Sequence, residues 1–280
     1  MKKILIIAVL IFILFLGFIF RSDIYSFYLK LFGSFSELEK EFGEIIKEAE
    51  KKIVLPPPLR FAGEEAGLLS RSQVIALTNI ERQKTGLSLL KENSKLNSSA
   101  EIKAEDMLLR QYFEHSSPSG EQVSDLAQRA GYDFIILGEN LAMGNFKDDK
   151  ALVHAWMDSP GHRENILNPN YSEIGVSVIK GSFEGRTVWM AVQHFALPLD
   201  TCSEADETIR AIIEINEKKV ERIEQLLEAM KGNLKNKREV EEYNRIVSDH
   251  NILVEQNRVL IEEYNRQASA FNDCLADALK

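Results

Sequence analysis

The segment HAWMDSPGHRENILNPNYSEIGVSV, residues 154–178, brings a histidine to the start of a very short predicted helix. Ser159 is a good N-cap, Pro160 suits the first helical position, and His162 then falls in the first turn. The free amide groups of that turn carry partial positive charge, so we expect them to lower the pKa of His162. A neutral imidazole can ligate a metal or accept a proton. His162 is therefore a predicted functional residue, provided that it faces a cavity.

Two further side chains can join His162. His115 follows the end of a predicted helix in YFEHSSPSG, and Glu139 lies at a strand–turn junction in LGENLAMG. Two imidazoles and a carboxylate that converge can hold a divalent metal, with water completing the coordination. The three residues are scattered and show no HExxH or CxxC spacing. The alternative, that each histidine makes only local hydrogen bonds near a helix end, therefore stays open.

The elements that must position these residues lie between residues 68 and 200. Apolar residues at helical spacing predict four helices there, the last of them DDKALVHAWM. The segments SEIGVSVIKG and TVWMAVQHFAL, joined by SFEG, predict an antiparallel hairpin. Helices that precede a late hairpin are typical of an α+β fold, with helices packed on an antiparallel sheet.

Taken together, these segments resemble a known family. TNIERQKTGL, AEDMLLRQYFEHSSPSG, GENLAMG, AWMDSPGHRENILNPNYSEIGVSV and VQHFA follow one another in an order and spacing similar to the CAP superfamily (cysteine-rich secretory proteins, antigen 5, pathogenesis-related 1), in its bacterial, SCP-like form. The resemblance covers about residues 70–197. It implies a three-layer α-β-α sandwich and a secreted protein. It also implies a central cleft with two histidines and two acidic residues, with which a divalent metal such as zinc is associated.

Carried over by position, the resemblance assigns the cleft to four residues. His115 and His162 match the two histidines, and Glu139 matches the first acid. The position of the second acid falls on Ser159. Asp158 is adjacent, but a shift of one residue on a helix turns the side chain by about 100°, so it is no assured substitute. The resemblance therefore implies a metal site of three ligands, His115, Glu139 and His162.

Other polar residues of this segment have structural interpretations. Arg82 is predicted to brace the fold through buried hydrogen bonds, and Asn140 and Asn165 are predicted to hold turns. His154 and His194 are weaker candidates for the edge of the cleft.

The amino-terminal segment predicts a compartment. Ile4–Phe20 is an uncharged apolar run near the lower limit for spanning a bilayer, and it follows two lysines. We expect an uncleaved transmembrane anchor at residues 1–21, with the rest of the chain outside the cytoplasm. A signal peptide cleaved at an atypical site is the alternative and gives the same compartment. Residues 22–67 predict an amphipathic helix and then, in VLPPPLRFAGEEAG, a semi-rigid proline-rich spacer.

Residues 201–280 change character, because two stretches carry apolar residues at heptad spacing. The simplest interpretation is an antiparallel helical hairpin, which closes on itself, on the amphipathic helix or on another chain. The last option would make it a surface for a protein partner or for self-association. Cys202 and Cys274 lie near the outer ends of the two helices, so we expect a disulfide. Two separate thiols are the alternative.

Composition and motifs restrict the function. The net charge of −9, without a Lys/Arg cluster, gives no support for a nucleic-acid partner. No nucleophile elbow accompanies Ser116 and Ser117, so a serine hydrolase is not favoured. Two functions are left. The first is a membrane-tethered extracytoplasmic module that binds a ligand or partner at a His/Glu cleft. The second is a metal-dependent hydrolase of peptides or cell-wall polymers, with Glu139 as ligand or general base.

Overall fold

The computed structural model of the chain describes residues 52–63, 66–232 and 234–279. The predicted anchor at residues 1–21 and the amphipathic helix that follows it lie outside the described residues. Within the described ranges, no helix combines the length and the apolar character that a membrane crossing requires.

Thirteen strands and helices, and one short 3₁₀ turn at Leu199–Thr201, make up the described chain. In chain order they are β1 (Ile53–Val54), β2 (Leu59–Phe61), α1 (Arg71–Lys84), β3 (Lys91–Glu92), α2 (Ser94–Arg110), α3 (Val123–Arg129), β4 (Phe134–Gly144), α4 (Asp149–Asp158), α5 (Pro160–Ile166), β5 (Glu173–Phe183), β6 (Arg186–Pro198), α6 (Glu207–Lys231) and α7 (Lys237–Ala278).

One mixed sheet organises residues 53–198. Its strand order is β1-β4-β6-β5-β3, and β2 also pairs with β4. The β5–β6 pair is the predicted antiparallel hairpin, whose turn carries Glu184 and Gly185 at positive φ. The β4–β6 pair is antiparallel too, and its register places Glu139 opposite His194. The α+β prediction is confirmed.

Helices cover both faces of β4. Leu141 and Met143 belong to an apolar cluster with residues of α2, such as Ala104, and Leu137 belongs to a second cluster with residues of α3. Because neighbouring side chains on a strand point to opposite faces, Gly138 meets the other layer. A Cβ at Gly138 would lie 2.2 Å from the Tyr171 hydroxyl, so only glycine allows this close approach.

The prediction of a semi-rigid spacer is wrong for residues 54–61, and Ile53, which was predicted to belong to the amphipathic helix, lies in a strand. Ile53–Val54 pairs in parallel with Leu137–Gly138, and Leu59–Phe61 pairs in parallel with Ala142–Gly144. The extended conformation that prolines favour also suits an edge strand. The three prolines, 56–58, lie in the interruption between β1 and β2, where no ladder hydrogen bond needs their missing N–H. We call residues 53–61 the strap.

The two carboxy-terminal helices contact each other. Gln267 Oε1 accepts a hydrogen bond of 2.8 Å from the Asp206 amide, and the Tyr264 hydroxyl donates one of 3.2 Å to Glu207. The predicted disulfide between Cys202 and Cys274 is confirmed, with 5.8 Å between the Cα atoms. It joins the segment just before α6 to the last turns of α7.

Candidate functional site

Glu139 is the centre of a buried polar cluster. It lies in the middle of β4, whose residues are all buried, and its own side chain is fully buried. His115 Nδ1 lies 2.6 Å from Oε1, and His194 Nε2 lies 2.9 Å from Oε2. Since His194 is opposite Glu139 in the β4–β6 register, the sheet itself fixes the second contact.

His115 reaches Glu139 because the chain turns sharply after α2. The helix ends at Gln111, a residue in the left-handed conformation with φ 57°. The buried Lys103 then holds the loop by donating to the His115 carbonyl and, over 3.3 Å, to the Tyr112 hydroxyl. Burial lowers the pKa of Lys103, although Glu139 and other nearby carboxylates oppose that effect. The ammonium group thus adds positive charge beside the Glu139 carboxylate.

The Glu139 carboxyl is ionised in this setting. Burial by itself raises its pKa, but the hydrogen bonds from His115 and His194 and the charges of His194 and Lys103 bring the pKa down to about 2. A carboxylate only accepts hydrogen bonds, so both histidines donate to it. His115 Nε2 also lies 2.6 Å from the Pro56 carbonyl oxygen, a second acceptor. An imidazole ring protonated at both nitrogens satisfies both contacts.

His162 is linked to this cluster through the charge of His115, and its side-chain contact is with a serine. Its Nδ1 lies 2.8 Å from the Ser159 hydroxyl, and its Nε2 is buried without a hydrogen-bond partner among the described residues. Burial and the charge of His115 lower its pKa to about 4, against a smaller opposing effect of the Leu141 carbonyl. The predicted direction is confirmed, but its main cause is burial and not the helix end.

Ser159 occupies the position of the missing second acid, and its hydroxyl contacts His162 without capping α5 by a side-chain hydrogen bond. Asp158 points elsewhere. It pairs with His154 at 2.8 Å on an exposed face, where the two side chains are 64% and 69% exposed. Neither Asp158 nor His154 belongs to the cluster.

Asn140 and Asn165 do more than hold turns. Asn165 donates to the Val54 and Glu139 carbonyls at 3.1 and 3.2 Å and to Asn140 Oδ1 at 3.0 Å. Asn140 in turn donates to the His162 carbonyl at 3.1 Å. This amide pair ties α5, β4 and the strap together. The prediction that Asn140 and Asn165 hold turns missed this role, because the partners are distant in sequence.

Arg82 braces the fold as predicted. Its guanidinium is buried and donates to the backbone carbonyls of Ser88, Ile166, Asn168 and Tyr171. These contacts fix the segment that connects α5 to β5, and so the position of His162.

His194 is the cluster residue that sequence reasoning placed last. The sequence did indicate that His194 lies in a strand of alternating apolar and polar residues. Because successive side chains of a strand point to opposite faces, this placed the His194 side chain on one defined face. Only the pairing register shows that Glu139 shares this face.

The predicted metal ligands converge only in part. His115 contacts Glu139, and its charge acts on His162, but both ring nitrogens of His115 and both oxygens of Glu139 are already engaged in hydrogen bonds. In the described part of the chain, no group of three His, Cys, Asp or Glu residues is arranged to hold a metal ion. With the strap in place these donors do not fit a divalent metal. Metal binding by His115, Glu139 and His162 stays a prediction.

The cluster is covered. Glu139 and His194 are fully buried, His162 is 1% exposed, and the His115 side chain is 14% exposed. Pro56 is the buried residue of the strap and caps His115 from the outside. A separate cavity of about 530 Å³, lined by Lys95, Tyr132 and Cys202 among others, contains no histidine. The central cleft that the resemblance implies is therefore covered by the strap.

Comparisons with known proteins find one family and several relatives that are similar to part of the chain. The model of the cysteine-rich secretory protein (CAP) family matches residues 75–195. The uncharacterized protein YkwD of Bacillus subtilis strain 168 is 43% identical over 117 residues, 42% of this chain and 44% of that protein. The uncharacterized membrane protein YlbC of the same strain is 37% identical over 109 residues, 39% of this chain and 31% of that protein. This chain thus spans less than half the length of each relative.

Among solved structures, an extracellular protein containing a SCP domain from Bacillus anthracis str. Ames is 32% identical, with a TM-score of 0.40. The match covers 45% of this chain and 39% of that one. The range that the family model matches, residues 75–195, contains Arg82, His115, Glu139, His162 and His194. Residues 75–195 are therefore similar to the CAP, or cysteine-rich secretory protein, family.

Proposed function

We propose that this protein is a binding module displayed outside the cytoplasm, and that its ligand or partner engages the cluster of His115, Glu139, His162 and His194. The disulfide between Cys202 and Cys274 supports a non-reducing compartment. One relative is named a membrane protein and a similar solved protein is named extracellular, which is consistent with this placement. The predicted anchor at residues 1–21 is the tether in this proposal.

The proposal rests on one observation: two buried histidine nitrogens have no hydrogen-bond partner among the described residues. His162 Nε2 and His194 Nδ1 are both buried without a hydrogen-bond partner among the described residues. A buried polar atom without a partner costs free energy, about 1–3 kcal/mol, and native proteins keep few of them. A ligand that approaches His162 and supplies a hydrogen-bonding group complementary to Nε2 would recover that free energy.

The contacts favour binding over catalysis. Glu139 accepts a hydrogen bond from a histidine at each oxygen and is fully buried, so in this arrangement it is not placed to take a proton from a substrate water. Ser159, which stands in place of an acid, adds no second carboxylate. The alternative of a metal-dependent hydrolase stays a prediction, and so does the choice of metal, zinc included.

The experiment compares three histidine variants of the full chain, purified in mild detergent. Native mass spectrometry detects any retained ligand, and a titration with zinc chloride alone, followed by elemental analysis, tests the metal. We expect wild type and His154→Ala to behave alike, because His154 is exposed. His162→Ala and His115→Ala should lose the bound species.

His154→Ala is the matched control for the removal of an imidazole. Equal loss of the ligand in this variant would contradict the proposed site. Absence of any retained ligand or zinc in all four proteins would contradict the binding function.

The carboxy-terminal helices are the second part of the proposal, as a surface for a partner or for self-association. Ile212, Ile215, Ile252 and Val259 are large aliphatic side chains that are 45–54% exposed on α6 and α7. Light scattering after size exclusion tests this: Ile252→Ser with Val259→Ser should lower the mass of any oligomer. An unchanged monomer in both proteins would contradict self-association.

A further inference from the structure

The strap lies on the cluster as a bound peptide lies in a recognition groove. Its two ends pair in parallel with the outer edge of β4, at Leu137–Gly138 and at Ala142–Gly144. Between them, Glu139–Leu141 has no strand partner on this edge among the described residues. The groove is thus the edge of β4 that the strap covers, with strand pairing at both ends and no strand partner in the middle.

Two carbonyl groups of the strap are held by side chains of the cluster. His115 Nε2 donates to the Pro56 carbonyl at 2.6 Å, and Asn165 Nδ2 donates to the Val54 carbonyl at 3.1 Å. Both contacts are made to backbone carbonyl groups of the strap and to none of its side chains. Any extended polypeptide in the same register could supply the same two acceptors.

The groove is also shaped for close backbone approach. A Cβ at Gly161 would lie 2.7 Å from the Pro56 Cβ, and a Cβ at Gly144 would lie 2.1 Å from the Phe61 carbonyl oxygen. Gly144 has φ 148°, which L residues with side chains rarely adopt. These two glycines leave room for a strand against β4 and α5.

Side-chain contacts fix the carboxy-terminal half of the strap. Phe61 stacks on Phe146 with ring centroids 4.8 Å apart. The Arg60 guanidinium lies 5.2 Å from the ring centroid of Phe113 and 5.8 Å from that of Phe183. Arg60 and Phe61 nevertheless stay exposed, so these contacts can be broken without opening the core.

We propose that this groove is a receptor for an extended polypeptide segment that adds to the edge of β4 in parallel, and that the strap is its intramolecular occupant. Strand addition to a free sheet edge is a common mode of peptide recognition, in which main-chain hydrogen bonds give affinity and alternate side chains give specificity. The external peptide binds by displacing the strap. This inference rests on the proposed binding function and names the class of its ligand.

The strap is a weak occupant of its own groove. Its only buried residue is Pro56, and its ladder with β4 consists of five residue pairs. Prolines 56–58 cannot donate hydrogen bonds to the open edge at Glu139–Leu141. An external segment with N–H groups at these positions can donate to backbone carbonyls of this stretch, where the Glu139 carbonyl already accepts a hydrogen bond from Asn165. The advantage of the strap is its covalent attachment, which corresponds to an effective concentration of about millimolar.

The test uses the full chain and a fluorescent peptide of residues 52–63, KIVLPPPLRFAG. In Arg60→Ala with Phe61→Ala the strap loses its side-chain contacts while the groove stays unchanged. We expect the peptide, followed by fluorescence anisotropy, to bind this variant about tenfold or more tightly than wild type, given the usual strength of one aromatic and one cation–π contact. A scrambled peptide should not bind.

Leu109→Ala with Arg238→Ala is the matched control, because it truncates an exposed apolar and an exposed basic side chain elsewhere. It should bind the peptide as weakly as wild type. Adding His115→Ala to the strap variant should weaken peptide binding again, since the Pro56 carbonyl of the peptide loses its donor. Tryptophan fluorescence verifies that each variant is folded.

Hydrogen exchange of residues 53–61 makes the outcome decisive. Fast exchange in the strap variant without any peptide binding overturns the inference. Slow exchange overturns it too, because the segment is then a permanent strand and not a displaceable occupant. If the peptide does not bind the strap variant but the histidine variants still lose a retained ligand or zinc, only this inference is contradicted. If both experiments fail, the proposed function fails with it.

Discussion

Replacing Glu139 with glutamine is the most direct test of the polar cluster, because it removes the charge and keeps the shape. The carboxylate accepts from His115 and His194 at 2.6 and 2.9 Å. Glutamine has one acceptor oxygen and presents an amide donor at the other position. One of the two histidines must therefore lose its acceptor in a site that water does not reach.

The expected cost follows from the pKa. A carboxyl group with an ordinary pKa of 4.5 that folds into a site where the pKa is about 2 contributes about 3 kcal/mol to the free energy of unfolding at neutral pH. Loss of a buried hydrogen bond to a charged group, about 1.5–3 kcal/mol, gives the same scale. We expect Glu139→Gln to lower the free energy of unfolding by about 3 kcal/mol at pH 7.

The sign of the pH dependence follows as well. The pKa of Glu139 is lower in the folded than in the unfolded chain, so its contribution is complete above pH 4.5 and is lost as the pH falls toward 2. Wild type should therefore lose stability in this range, and the difference from Glu139→Gln should shrink. The variant lacks this part of the acid dependence.

Urea unfolding at pH 7, 5 and 3, followed by tryptophan fluorescence, measures both effects. The chain has two tryptophans, Trp156 and Trp189, and both are buried within residues 53–198. Glu105→Gln, on the exposed face of α2, is the matched control and should unfold like wild type. A loss below about 1 kcal/mol at pH 7 would refute the assignment of an ionised, doubly bonded Glu139.

Three further substitutions test the supporting structure. Arg82→Lys should cost about 3 kcal/mol or more in the same urea series, because an ammonium cannot reach all the carbonyls that the guanidinium holds. Ser159→Ala should cost about 1 kcal/mol, since His162 Nδ1 loses its partner. Cys202→Ser with Cys274→Ser should destabilise α6 and α7 by roughly 4 kcal/mol on the chain-entropy model of a loop this long. Helical circular dichroism during urea unfolding, with and without reductant, measures that change, and an unaltered midpoint would contradict it.

The sequence alone was sufficient for features that depend on neighbouring residues. Alternation and a short turn predicted the β5–β6 hairpin, and an N-cap serine followed by proline predicted the start of α5. The motifs around His115, Glu139 and His162 indicated the CAP domain. The two cysteines at the ends of two helical patterns predicted the disulfide. In each case the determining interactions are local, or the residue types themselves restrict the chemistry.

Only the tertiary structure decided which groups meet. The register of β4 against β6 brings His194 to Glu139, and no local pattern encodes a register between distant strands. Ser159 has an ordinary N-cap sequence, yet its hydroxyl contacts His162. A proline-rich segment has the same sequence pattern whether it is a free linker or a strand paired in a sheet, because its extended backbone fits both states. The strap became part of the sheet because the edge of β4 offered unpaired backbone groups and His115 offered a donor.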